Sequence, residues 1–252
     1  MLLAARDVSI RFGGLQALDR AGVTVEAGRI TGLIGPNGAG KTTLFDIITG
    51  MLRPDAGSIV LDARDITDLS VHRRARAGIA RTFQRLEVFD QLSARDNILV
   101  AAEMRRRWDR SGDPPARRAD ALCERLGLGE VAEVVVGALP TGTARLVELG
   151  RALATGPRVL LLDEPSSGLD DDESEAMAGV LRELVDDGLG ILLVEHDMSF
   201  VMSLCHRIAV LDFGHIIAEG DPAAIRADPA VQAAYLGSAA ESAGAPGGAT
   251  VP

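Results

Sequence analysis

The nine residues Gly35-Pro36-Asn37-Gly38-Ala39-Gly40-Lys41-Thr42-Thr43 run Gly, four residues, Gly-Lys-Thr, directly after the apolar stretch Ile30–Ile34. That spacing suits a loop that cradles phosphate groups. Its glycines let the backbone turn amide hydrogens inward, and the helix that follows offers its free N–H groups and positive dipole end to the same anion. Lys41 would reach the β- and γ-phosphates of a nucleoside triphosphate, and the Thr42 hydroxyl would ligate Mg2+. Composition sharpens the reading, because Lys41 is the only lysine beside twenty-five arginines. A compact ammonium fits inside such a loop where a planar guanidinium does not.

Further candidates stand at the ends of apolar runs. Val159-Leu160-Leu161-Leu162 leads into Asp163-Glu164, and Ile191-Leu192-Leu193-Val194 into Glu195-His196-Asp197. Strands that are apolar on both faces belong inside a parallel sheet. Ligands of open α/β sheets bind beyond the carboxyl ends of such strands. Asp197 also suits a helix N-cap, but capping does not call for the paired acids Asp163 and Glu164. Phe12, one of only eight aromatic residues, fits either a ring that stacks on a base or a half-buried loop residue.

The elements that must position these groups can be read from pattern. Leu2–Ile10 and Gly22–Glu26 read as strands of a small antiparallel lead-in sheet, with a turn at Gly13-Gly14. A helix over Thr42–Thr49 is closed by Gly50, with Pro54 barring continuation. A strand at Gly57–Leu61 and a short basic helix at Val71–Ala77 follow, then a strand at Ile79–Gln84 ending in a polar residue. From Asn97 to Leu126 the pattern is helical, broken at Ser111–Pro115, and a turn at Leu139–Thr143 opens a helix to about Ala154. After the strand into Asp163 come a helix near Glu173–Val185, the strand into Glu195, strands at Ile208–Leu211 and Ile216–Ala218, and two short helices near Pro222–Arg226 and Pro229–Leu236. The predicted fold class is α/β, with a mostly parallel sheet, an N-terminal antiparallel subdomain and a helical insertion at about 85–150. Residues 238–252, rich in Ala, Gly, Ser and Pro, read as a disordered tail.

Composition bounds the alternatives. No apolar run approaches the roughly 20 residues that cross a bilayer, and the start is charged too early for a signal peptide. Cys123 and Cys205 lie far apart without metal-ligand spacing and read as buried small hydrophobes. The net charge of −10 argues against general nucleic-acid binding, yet residues 73–125 carry +5 and the remainder −15. The clusters Arg73-Arg74-Ala75-Arg76 and Arg105-Arg106-Arg107 could face a membrane surface or an acidic partner. A solvated helix face is the simpler reading.

The ordered set of the phosphate loop, Gln84, the helix start at Leu139–Thr143, Asp163-Glu164, Ser167-Gly168-Leu169-Asp170 and His196 resembles the ATP-binding subunit of ATP-binding cassette (ABC) transporters, over roughly Leu2–Leu236. The resemblance implies the ABC ATPase fold over residues 2–237 and a role for each matching position. Phe12 would stack on adenine, and Gly35 to Thr43 would hold the phosphates. Thr42, Gln84 and Asp163 would coordinate Mg2+, Glu164 would act as general base, and His196 would bond the γ-phosphate. Leu139, Gly142 and Thr143 would contact nucleotide held by a second ATPase subunit. Phe12-Gly13-Gly14-Leu15, Arg81-Thr82-Phe83-Gln84, Glu195-His196-Asp197-Met198 and Tyr235-Leu236-Gly237 are similar to the branched-chain amino acid importers of the family. Such a subunit implies transmembrane permease partners, indirectly a solute-binding protein, no nucleic acid, and a place on the cytoplasmic face of the membrane.

One element departs from the family pattern. The family's Leu-Ser start is Leu139-Pro140 here, and Thr143 stands where glutamine is usual. Proline has neither hydroxyl nor amide hydrogen, so the half-site offered to a partner is expected to be weakened. A non-transport ABC ATPase is the competing class, but about 100 residues between Lys41 and Leu139 leave no room for a long coiled-coil insertion. A protein that binds nucleotide without hydrolysing it would need neither Glu164 nor His196.

Overall fold

The computed structural model describes residues 1–235. Two sheets organise the chain. A four-stranded antiparallel sheet has the order β2-β1-β4-β5, from β1 (Leu3–Phe12), β2 (Leu15–Val25), β4 (Ala56–Leu61) and β5 (Arg64–Asp65). A six-stranded sheet has the order β10-β9-β3-β8-β7-β6, from β3 (Ile30–Ile34), β6 (Ile79–Arg81), β7 (Val159–Asp163), β8 (Gly190–Val194), β9 (Arg207–Asp212) and β10 (His215–Gly220). All its pairings are parallel except β9 with β10.

Alternation along the parallel strands explains their unbroken apolar sequence. In β7, Leu160 and Leu162 enter one core layer, and Val159 and Leu161 enter the other. The first layer is covered by α3 (Ala94–Arg106), α4 (Pro115–Arg125), α5 (Thr141–Ala154), α6 (Asp171–Asp186) and α7 (Met198–Leu204). The second is closed by α1 (Lys41–Thr49) and the antiparallel sheet. Both faces are dry, so no strand position can be polar without a partner. Cys205 and Cys123 are buried and unpaired, and burial pushes the Cys205 thiol up to about 12.

The sequence-based elements are recovered with informative differences. The lead-in strands are longer than their apolar cores, because β1 and β2 stay paired out to Phe12 and Leu15 across Gly13-Gly14. Strand β6 stops at Arg81, so Gln84 lies on a loop and not on a strand. The ladder continues only to the Thr82 N–H, which donates to Leu161 O; Arg145 of α5 then takes the carbonyls of Phe83 and Gln84. A small helix, α8 (Pro222–Ala227), follows β10, and residues 229–235 are helical. The expected tail at 238–252, with Leu236 and Gly237, lies outside the described residues.

The basic run Arg73–Arg76 is not one solvated face. Within α2 (Val71–Ala77), Arg74 is only 1% exposed. Its guanidinium donates to the carbonyls of Ile47, Ile48, Thr67 and Leu69, at 2.6–3.0 Å. Two of these carbonyls, those of Ile47 and Ile48, lie in the last turn of α1, so an arginine here caps the helix that begins in the phosphate loop. Arg74→Ala would leave buried acceptors unpaired and is expected to lower the unfolding free energy by about 3 kcal/mol. Denaturant titration checks this, with Arg73→Ala as the comparison that stays near the parent value.

Candidate active site

The phosphate loop links the end of β3 to α1. Gly40, at φ 111°, caps the helix without any side-chain bond, and no acidic residue stands in the first turn. The first N–H groups of α1 are thus left for an anion. Glycine is required by crowding: a Cβ at Gly35 would meet the Leu211 carbonyl at 1.9 Å, and one at Gly40 the Ala17 carbonyl at 2.8 Å. Side chains at these positions would push the loop away from β9 and β2. Pro36, Asn37, Gly38 and Ala39 form the rest of the loop, closed by the Ala39 N–H donating to Pro36 O at 3.2 Å.

Lys41 is 7% exposed, and its Nζ donates to Gly35 O at 2.7 Å and Pro36 O at 2.9 Å. Burial draws its pKa below the ordinary lysine value, while the carboxylates of Glu164 and Asp163 oppose that shift. Phosphate oxygens could take the place of these two loop carbonyls, since an ammonium bonds an anionic oxygen more strongly than a neutral one. Thr42 and Thr43 follow it on α1, Thr42 exposed and Thr43 half-buried.

Asp163 and Glu164 diverge although they are adjacent. Asp163 is buried, and its Oδ2 accepts from Arg81 at 2.9 Å. Glu164 takes a left-handed backbone, φ 51°, and its N–H donates to Val194 O of β8 at 2.8 Å. That strained turn aims its side chain at different partners. Glu164 Oε2 accepts from Gln84 Nε2 at 3.0 Å, and Glu164 Oε1 lies 2.8 Å from His196 Nε2. The fold therefore brings together Gln84, Glu164 and His196, which are separated by 80 and 32 positions in sequence. Thr42, Gln84 and Asp163 offer a hydroxyl, an amide and a carboxylate, the hard oxygen donors that Mg2+ prefers. Among the described residues no group of three or more His, Cys, Asp or Glu could hold a metal.

Phe12 is 47% exposed at the end of β1, accessible for stacking. Gly142 is buried against α6, Leu139 packs on the first core layer, and Thr143 is half-buried. A Cβ on Gly142 would meet the Glu173 carboxylate at 2.5 Å, and Glu173 in turn completes a capping box with Asp170. Pro140 occupies the N-cap of α5 and supplies no side-chain bond, as its sequence implies, and the free N–H groups of the first turn remain.

Two functional supports escape a reading by motif. Arg81 bridges Asp46 of α1 at 2.5 Å and Asp163 of β7 at 2.9 Å, with its side chain 7% exposed and its guanidinium over the rings of Phe83 and Phe45. Buried Glu195 accepts from the N–H and hydroxyl of Ser166, both at 2.7 Å, and from the His196 N–H at 3.1 Å. The available signal for each was a charge at the end of an apolar strand. Arg81→Leu strips the shared counter-charge from two carboxylates and is expected to cost about 3–5 kcal/mol of stability. Denaturant unfolding tests this against Arg53→Ala, which breaks an exposed pair with Asp68 and is expected to leave stability almost unchanged.

Comparison with known proteins identifies the family. Residues 18–167 match the model of the ABC transporter family, and residues 215–241 match that of a branched-chain amino acid ATP-binding cassette transporter. The chain is 37% identical over 251 residues to the high-affinity branched-chain amino acid transport ATP-binding protein BraF of Pseudomonas aeruginosa, covering 94% of this chain and 98% of that protein. It is 36% identical over 235 residues to the lipopolysaccharide export system ATP-binding protein LptB of Escherichia coli, covering 93% and 97%. The structure of MJ1267, an ATP-binding cassette of an ABC transporter in its ADP conformation, superposes with a TM-score of 0.83 at 30% identity, covering 94% of this chain and 98% of that one. With the phosphate loop, the paired strand-end acids and the Gln84–Glu164–His196 cluster in place, this chain belongs to the ABC transporter family as an ATP-binding subunit.

Proposed function

We propose that this ATPase powers the import of branched-chain amino acids or a related small polar solute. The observation that carries the solute class is the match of residues 215–241 to the branched-chain amino acid cassette model. Residues 2–237 would form the ATPase domain, with its helical insertion at about 85–150. It would work on the cytoplasmic face of the membrane, paired with a second ATPase subunit and two permease subunits fed by a solute-binding protein. No helix among the described residues is long and apolar enough to cross a membrane, so the path for solute would belong to those partners.

In this reading ATP lies along the phosphate loop, where the first N–H groups of α1 and the Lys41 ammonium are gathered. Phe12 stacks on adenine, Lys41 turns from the carbonyls of Gly35 and Pro36 to the β- and γ-phosphates, and His196 bonds the γ-phosphate. Mg2+, held by Thr42, Gln84 and Asp163, would screen the charge on the transferring phosphoryl group. Glu164 accepts a proton from the attacking water as that oxygen joins the γ-phosphorus and the bond to ADP breaks. Glu164 Oε2 already accepts from Gln84 Nε2, so a change at the carboxylate would be felt by the loop that carries Gln84.

That loop borders a groove of about 330 Å³ lined by Met51, Val71, Phe83, Met104 and Trp108. Met51, Val71, Phe83 and Met104 are exposed apolar side chains, a surface suited to a short permease segment. Arg81 links it to Asp163, so occupancy at the metal position and shape in the groove would be coupled through one guanidinium.

Glu164→Gln is expected to preserve MgATP binding and to cut hydrolysis by at least about 100-fold. Equilibrium binding with single-turnover phosphate release measures both, and near-normal release would remove Glu164 from the role of base. The solute class is tested in proteoliposomes containing this chain with the permease and solute-binding proteins encoded beside it. Leucine, isoleucine and valine should each stimulate turnover. Indifference to all three together with stimulation by lipopolysaccharide would favour export, the reading that the similarity to LptB supports.

A further inference from the structure

We propose that Phe213 contacts the base or ribose of the bound nucleotide, as a second aromatic wall beside Phe12. The inference rests on the nucleotide reading above and deepens it. It starts from a residue that folding does not explain. Strands β9 and β10 are joined by two residues, Phe213 and Gly214, between the paired Asp212 and His215. Their φ values are 40° and 80°, the pattern of a type I′ turn, which favours Asn, Asp or Gly at its first central position. The chain meets that demand in the β4–β5 hairpin, where Asp62 sits at φ 50° between paired Leu61 and Arg64. In β9–β10 it places a bulky aromatic ring there instead, with backbone strain. Phe213 is 80% exposed, so burial returns little of that cost.

The turn is fixed to the phosphate loop. The Gly214 N–H donates to Ala39 O at 2.9 Å, and Gly214 O accepts from the Asp19 N–H at 3.0 Å. One carbonyl, that of Ala17 in β2, lies 2.8 Å from a Cβ built at Gly40 and 2.8 Å from one built at Gly214. Loop, turn and β2 therefore meet at one point. From that point β2 runs back to Leu15, 69% exposed, and across the hairpin to Phe12. Two separate hairpins whose backbones meet at the phosphate loop thus each carry an exposed aromatic side chain at the turn. A planar base has two faces, and a ring on each hairpin can cover more of it than Phe12 alone.

Phe213→Asn tests this, because Asn suits the turn and lacks the ring. In the full chain without nucleotide, the variant should unfold at higher denaturant than the parent. Its affinity for ADP and ATP, measured by calorimetry without turnover, should fall about tenfold. Its affinity for tripolyphosphate, which has no nucleoside, should not change. Phe213→Trp keeps a ring and should bind ADP like the parent. If Phe213→Asn binds ADP as the parent does while Phe12→Ala loses affinity, Phe213 has no such role and the nucleotide reading survives. An equal loss for ADP and tripolyphosphate would also overturn the proposal, since it would report a distorted loop. If the parent binds ADP no better than tripolyphosphate, the reading of a nucleoside site itself falls.

Discussion

The buried guanidinium of Arg81 is the interaction on which the site's architecture depends. It stands at the end of β6 and joins Asp46 of α1 to Asp163 of β7. Those elements carry the phosphate loop's helix and the strand-end acids. Asp163 is buried and Asp46 half-buried, and without a counter-charge their carboxylates would repel the phosphates near them. One arginine supplies that counter-charge to both. Because arginine is planar, it also fits between the rings of Phe45 and Phe83. A lysine could supply the charge but not this shape, which accords with a chain that uses lysine only in the phosphate loop.

Around that centre, adjacent residues divide their labour through backbone geometry. Asp163 ends a regular strand and points into the ion-pair network. Glu164, one residue later, is turned into the left-handed region and meets Gln84 and His196. Both of its oxygens are engaged, so its carboxylate is oriented before any water arrives. Glu195 fixes the neighbouring loops by binding Ser166 and the His196 N–H. Left-handed backbone at Glu164 and at Phe213 comes directly after β7 and β9, two strands of the six-stranded sheet.

How much was legible follows from the range of each interaction. The phosphate loop, the strand-end acids and the cap at Asp197 are local statements, in which residue type and near neighbours decide geometry. They appear in the structure as the pattern implies: Gly40 begins α1, β7 ends at Asp163, and Asp197 accepts from Ser199 and Phe200. The apolar runs likewise announced a parallel sheet, since only a strand buried on both faces lacks alternation. The sequence also showed that Pro140 brings no hydroxyl or N–H to the start of α5.

What only the tertiary structure decided are the partners of charges far apart in the chain. Arg74 read as one of a basic cluster until the fold placed the end of α1 against it. Gln84 left its strand because Arg145, 61 positions away, holds its carbonyl. Arg81 looked like an ordinary strand residue, and its importance came from carboxylates 35 and 82 positions distant. A buried charge is specified by whatever satisfies it, and a sequence pattern records only that the charge exists. Local backbone chemistry was therefore written in the order of residues, while the electrostatic network that makes those residues a site was set by which strands and helices became neighbours.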